Sequence, residues 1–123
     1  MKNLLALAAV SEATAGLVLL VYPPIVVKLL FGAEISGAGV VMSRIAGMSL
    51  IALGLACWPA RETGPRAGWP LCGMLTYSSL VTLYLVYLGL DGEWVGKLLW
   101  PAAAVHLVLS ILLVWAWFNE SKT

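Results

Sequence analysis

Residues 4–24 read LLALAAVSEATAGLVLLVYPP. Apolar and small residues run almost without a break to Tyr22, and Pro23-Pro24 end the run. A stretch of this length matches the ~20 residues that carry a helix across a bilayer. In lipid the backbone must satisfy its own polar groups, and a helix does so. One residue resists that reading. Glu12 places a carboxyl group in the middle of the run.

Three further runs repeat the pattern. The second spans 40–58 and ends at Pro59. The third spans 70–90 and is followed by Asp91-Gly92. The fourth spans 98–118 and leaves the polar tail NESKT. Composition agrees. Of 123 residues, 62% are apolar and 11% are charged, against roughly 25% charged in soluble domains. So short a chain cannot hide that much apolar surface from water. The expectation is a single domain over 1–123, all-α, an integral membrane bundle of four transmembrane helices with short connections.

The start of the chain has features of a signal peptide: Lys2, a short apolar core and ATA before Gly16. The apolar run continues past that point to Tyr22, so an uncleaved first helix is expected. The segment PPIVVKLLFG, residues 23–32, is too short to span. Proline suits a helix start and glycine a helix stop. It reads as a short interfacial helix after the first span, with Lys28 reaching to water.

Loop lysines and arginines set orientation. Lys2, Arg61, Arg66 and Lys122 lie on one side, Lys28 and Lys97 on the other, with Arg44 just inside the span. Both termini are therefore expected in the cytoplasm. Trp58, Trp69, Trp115 and Trp117 then form an inner aromatic belt, and Trp94 and Trp100 an outer one. A net charge of +1 with no basic patch gives no reason to expect nucleic acid as a partner. Cys57 and Cys72 read as reduced packing thiols.

Each span carries a polar group in the same slab. At 1.5 Å rise per residue, Glu12 lies about 15 Å below the outer end of its span, and His106 and Thr82 about 12 Å below theirs. Ser78 and Ser79 are one turn deeper than Thr82. Arg44 is about 6 Å down on a long side chain. Glu12 has Ala8 and Gly16 four residues to either side, and His106 has Ala102 and Ser110. Such neighbours share a helix face, and small residues favour helix contacts in membranes. Glu12 and His106 are thus expected to point into protein. Ser43, Gly47 and Gly54 mark a second close-packing face.

An ionised side chain at mid-membrane costs about 2.5–3.5 kcal/mol. A Glu12–Arg44 pair is expected to offset much of that. Three roles stay open: a salt bridge that fixes helix register, a small polar cavity that binds a ligand or moves a proton, and a contact with a partner subunit. The candidate ligand-binding or proton-coupled residues are Glu12, Arg44, Ser79, Thr82 and His106. No metal site is expected, because no Cys or His stands at ligand spacing beside His106. A bis-histidine haem needs a second copy of this lone histidine, so no cofactor is expected beyond a bound lipid or quinone. No catalytic motif stands out. The glycines of FGAEISGAG, residues 31–39, follow no strand and read as a plain loop.

RIAGMSLIALGLACWPAR, with Arg44, Gly47, Gly54 and Pro59, resembles the second helix of small four-helix bacterial membrane proteins of the broad DoxX-like type. GLVLLVYPPIVVKLLFG before it, with Gly16, Pro23, Leu30 and Gly32, is similar to their first-helix exit. The resemblance covers residues 12 to 61. Some members are small membrane subunits of quinone or sulfur redox complexes. The resemblance implies an accessory or quinone-handling protein of the bacterial inner membrane. The chain lacks a redox-type Cys-x-x-Cys.

A short four-helix chain with a glutamate in its first helix also resembles small multidrug-resistance transporters, which implies proton exchange at Glu12. Those transporters lack an arginine near the glutamate's depth, and their aromatic-rich second and third helices do not match. The expected function is therefore a non-catalytic membrane protein. It binds a lipid or quinone-like molecule or serves as an accessory subunit, as a homo-oligomer or within a larger complex. A proton-coupled transporter using Glu12 and a quinone-linked redox subunit are the alternatives.

Overall fold

The computed structural model describes residues 2–58 and 69–120. Residues 59–68, with Pro59, Arg61 and Arg66, and residues 121–123, with Lys122, lie outside the described residues. Five helices follow one another: α1 (Lys2–Val21), α2 (Pro23–Phe31), α3 (Ala38–Ala56), α4 (Trp69–Asp91) and α5 (Leu99–Glu120). The described residues contain no strand. Four helices, all but α2, are long and apolar enough to cross a membrane. The chain is an all-helical bundle of the multi-pass membrane kind, with the short helix after the first span where the sequence places it.

The boundaries follow from local chemistry. Tyr22 precedes a proline, which disfavours helical backbone at that residue, and it sits at φ −139°, ψ 73°. The chain turns there. Pro23 then opens α2, where its missing N–H costs nothing. Gly32 closes α2 in the left-handed region (φ 66°), and its N–H donates to the Lys28 carbonyl at 2.9 Å. Lys28 is exposed and pairs with Glu34 at 3.5 Å. An exposed pair of this kind adds little stability.

The helices associate as two pairs, α1 with α3 and α4 with α5. The first pair rests on glycine. A Cβ on Gly47 would lie 2.6 Å from the Gly16 carbonyl oxygen, and one on Gly54 would lie 2.6 Å from that of Ala9. Two backbones meet there with no side chain between them, the contact that small residues permit in membranes. The glycine face of α3 is thus occupied within the chain. In the second pair, Leu85, Leu88, Leu99 and Ala103 pack together. The Trp100 ring fills the space beside Gly89, where a Cβ would meet it at 2.5 Å.

The two pairs join at their ends. Toward the start of α1, a core of Leu5, Ala8, Ala9, Cys57, Leu71, Met74, Leu109 and Leu113 draws on all four long helices or their caps. Cys57 and Cys72 are free thiols, and the buried Cys57 donates to the Pro70 carbonyl at 3.4 Å. At the opposite end α2 lies across the gap as a roof. Its last carbonyls have no partner within the helix. The connection before α5 supplies them: Gly96 N–H donates to Leu30 O at 2.9 Å and Leu98 N–H to Leu29 O at 2.7 Å. Gly96 is required for this approach, since a Cβ there would run into the Leu29 carbonyl.

Many of the outward-facing positions are large and apolar. Leu7, Leu83, Leu90 and Ile111 are largely exposed, as are the tryptophans Trp69 and Trp115. α3 is the least buried of the four long helices.

Candidate functional site

Between the core at one end and the α2 roof at the other, three polar side chains converge from three helices. Glu12 on α1 is only 4% exposed. Its carboxylate oxygen Oε1 stands 3.7 Å from Nδ1 of His106 on α5. Tyr77 on α4 places its hydroxyl close enough to the Glu12 carboxyl to interact with it electrostatically. The Tyr77 ring also meets the His106 ring edge to face, with centroids 5.9 Å apart and planes at 77°. This is the geometry aromatic quadrupoles favour. The 3.7 Å separation exceeds a hydrogen bond, and His106 Nδ1 is buried with no hydrogen-bond partner.

Arg44 is not part of this group. It is exposed on α3 and makes no ion pair with Glu12. The expected Glu12–Arg44 pair is therefore replaced by Glu12–His106. The reason is azimuth. Gly47 and Gly54 turn one face of α3 onto α1, and Arg44 lies about 60° round the helix from Gly47. Glu12 meanwhile faces α4 and α5.

The α4 hydroxyls are also elsewhere. Thr82 is buried and donates to the Ser78 carbonyl of its own helix at 2.7 Å. Ser79 is half-buried. Neither lines the cavities around Glu12. Ser78 Oγ is buried without a hydrogen-bond partner. On α5, Ser110 donates to the His106 carbonyl at 2.8 Å. Of the residues expected from sequence, the structure brings together Glu12 and His106 and adds Tyr77. The signal for Tyr77 was a hydroxyl-bearing aromatic one residue before Ser78, within the polar slab.

Two cavities flank the group. The first, about 550 Å³, opens between α1, α2 and α5. The second, about 400 Å³, lies toward α4 and reaches Leu50 of α3. Glu12, Ala15, Val26, Leu30, Ala102 and His106 line both. The two spaces thus share a wall and flank the same pair of polar side chains beneath α2. The lining is apolar apart from Ser11, Glu12 and His106 in the first cavity, and Glu12, Tyr77, Tyr84 and His106 in the second. A mostly apolar cleft with few convergent polar groups is the usual form of a small-molecule site.

No lysine or arginine lines either cavity. With one proton between them, Glu12 and His106 would balance in charge. Carboxylate with imidazolium, or carboxyl with neutral imidazole, gives the same net charge of zero. Among the described residues, no three His, Cys, Asp or Glu side chains gather to hold a metal ion. No family model, curated protein or solved structure matches the chain.

Proposed function

We propose that this chain is a non-catalytic membrane protein that binds a lipid- or quinone-like molecule in the gap between its two helix pairs. One observation carries the reading. The 550 Å³ cavity is walled by apolar side chains and carries Glu12 and His106 in its lining. A chain-bearing molecule fits the apolar wall, and its polar head fits the pair. The resemblance of residues 12 to 61 to DoxX-like proteins supports a place in the bacterial inner membrane, and the loop lysines and arginines support cytoplasmic termini. It also supports service as a small subunit of a larger complex. A homo-oligomer built on the exposed face of α3 would give Arg44 a protein environment in place of lipid.

Native mass spectrometry of the protein released from its own membrane tests the binding. The expected result is a reproducible extra mass per chain that disappears in Ala15→Leu. Ala15 lines both cavities and is exposed. Leucine is a good helix former, so the variant fills the gap without disturbing the helix. A bare chain, or an adduct indifferent to Ala15→Leu, refutes the reading.

A second reading has one observation in its favour. Arg44 does not neutralise Glu12, so an arginine no longer counts against a proton-coupled transporter of cations. In that reading Glu12→Gln folds but loses coupled uptake.

A further inference from the structure

The charge inventory of the gap points to the class of its occupant. This step rests on the binding reading above. We infer that the occupant is an uncharged amphiphile whose head carries a hydroxyl group, seated against His106 and Glu12 with its chain in the gap beneath α2.

Net charge is the first argument. Glu12 and His106 stand 3.7 Å apart with no lysine or arginine in the linings, and an apolar interior favours the net-zero state in which the pair carries one proton. The remaining ionisable groups in the two linings are the phenols Tyr77 and Tyr84. A phosphate or carboxylate head brought here would add a negative charge with no lysine or arginine to meet it. A quaternary ammonium would add a positive charge beside a pair that is already balanced. In a low-dielectric interior an uncompensated charge is strongly disfavoured. An uncharged head leaves the balance as it was.

The lysines of this region lie outside the gap. Lys28 and Lys97 flank a separate groove of about 310 Å³ formed by α2 and the connection before α5. That groove shares Ile25 and Leu29 with the large cavity but neither Glu12 nor His106.

Hydrogen-bond chemistry selects the hydroxyl. His106 turns Nδ1 toward Glu12. Nε2 is then the ring nitrogen left to meet a molecule in the cavity. In the imidazolium form Nε2 donates. In the neutral form with the proton on Nδ1, it accepts. A hydroxyl answers both forms, because it is donor and acceptor together. A carbonyl answers only the first, and an ether oxygen likewise. The Glu12 carboxyl has acceptor capacity that can hold a second head hydroxyl. Both cavities are mostly apolar beyond these groups, so the chain behind the head can lie in either.

Three probes of equal chain length test this: monolauroylglycerol, dodecyl phosphate and dodecyltrimethylammonium. Each is offered to the intact protein in phosphatidylcholine nanodiscs, and retention is read by native mass spectrometry. The expected result is retention of monolauroylglycerol roughly tenfold above the other two. The preference should collapse in His106→Leu, which keeps the bulk and removes the nitrogens. The panel on the unmodified protein decides even if that variant fails to fold. Equal or better retention of the phosphate or the ammonium overturns the uncharged head and leaves the cavity reading standing. Retention of none of the three, together with a bare chain from the native membrane, removes both.

Discussion

His106 Nδ1 stands 3.7 Å from Glu12 Oε1, and both side chains line the same two cavities. The carboxyl group in the first span is therefore answered by the fourth span, across the gap between the helix pairs. An answer from α3 would lie within one pair and would leave the gap apolar. The observed partner puts the polar chemistry where the bundle is open.

This pairing predicts the outcome of a double-mutant cycle. Glu12→Ala should cost about 1–3 kcal/mol of stability, the range for leaving buried partners unsatisfied. Combined with His106→Ala it should show a coupling of about 0.5–3 kcal/mol. Combined with Arg44→Gln the costs should add, and Arg44→Gln alone should fall within about 0.5 kcal/mol of wild type. Denaturation in mixed micelles, followed by circular dichroism, reads all the terms. A coupling to Arg44 larger than that to His106 would contradict the structure.

The α1–α3 contact gives a sharper steric prediction. Gly47→Ala places a Cβ 2.6 Å from a backbone oxygen that cannot step aside. Overpacking of this kind costs about 1–3 kcal/mol. Gly73→Ala is the control, because nothing lies within 4 Å of a Cβ there. It should be neutral or stabilising by up to about 1 kcal/mol, since alanine suits a helix interior better. Equal loss in both variants would mean that helix propensity and not close approach governs the glycine stripe.

Much of this fold could be read in the chain, because span length and proline placement are one-dimensional signals. Pro23-Pro24 separates α1 from α2, and Gly32 ends α2, as the residues demand. α3 begins and ends two residues earlier than the apolar run 40–58. Its start is set by Gly37 at φ 55° and not by the first large apolar side chain. The site was half legible. Helical rise placed Glu12 and His106 at matching depth, but depth does not give azimuth. Arg44 sits at a reachable depth on the wrong side of α3. The glycine stripe was itself visible and would have excluded Arg44 had its angle been measured against Gly47. Tyr77 escaped because an aromatic in a span reads as lipid-facing. Which helices pair is a tertiary property with no local signature.

The roof over the gap depends on one connection. Gly96→Ala drives a methyl group into the Leu29 carbonyl and should break the hydrogen bonds from Gly96 and Leu98 to α2. Those orphaned carbonyls then turn to water. The expected outcome is faster amide exchange at Leu98 and across the last turn of α2, with α1 and α3 unchanged. If exchange rises equally in all five helices, α2 is a structural keystone and not a local roof.

Tyr77 separates holding the pair from shaping the cavity. Its hydroxyl stands near the Glu12 carboxyl and its ring packs against His106. Tyr77→Phe keeps the ring and removes the hydroxyl. It should cost no more than about 1 kcal/mol, the net worth of a typical hydrogen bond, and leave the cavity volume unchanged. Tyr77→Leu also removes the edge-to-face contact and should cost about 0.5–1.5 kcal/mol more. Binding discriminates further. With the phenol gone, Glu12 has an additional free acceptor, so a hydroxyl head should bind Tyr77→Phe at least as well as wild type. In Tyr77→Leu the imidazole loses its lateral support, and binding should weaken. Titration of both variants with monolauroylglycerol in nanodiscs reads the difference. If Tyr77→Phe loses binding as fully as Tyr77→Leu, the phenol itself contacts the ligand and the polar end of the site has three members instead of two.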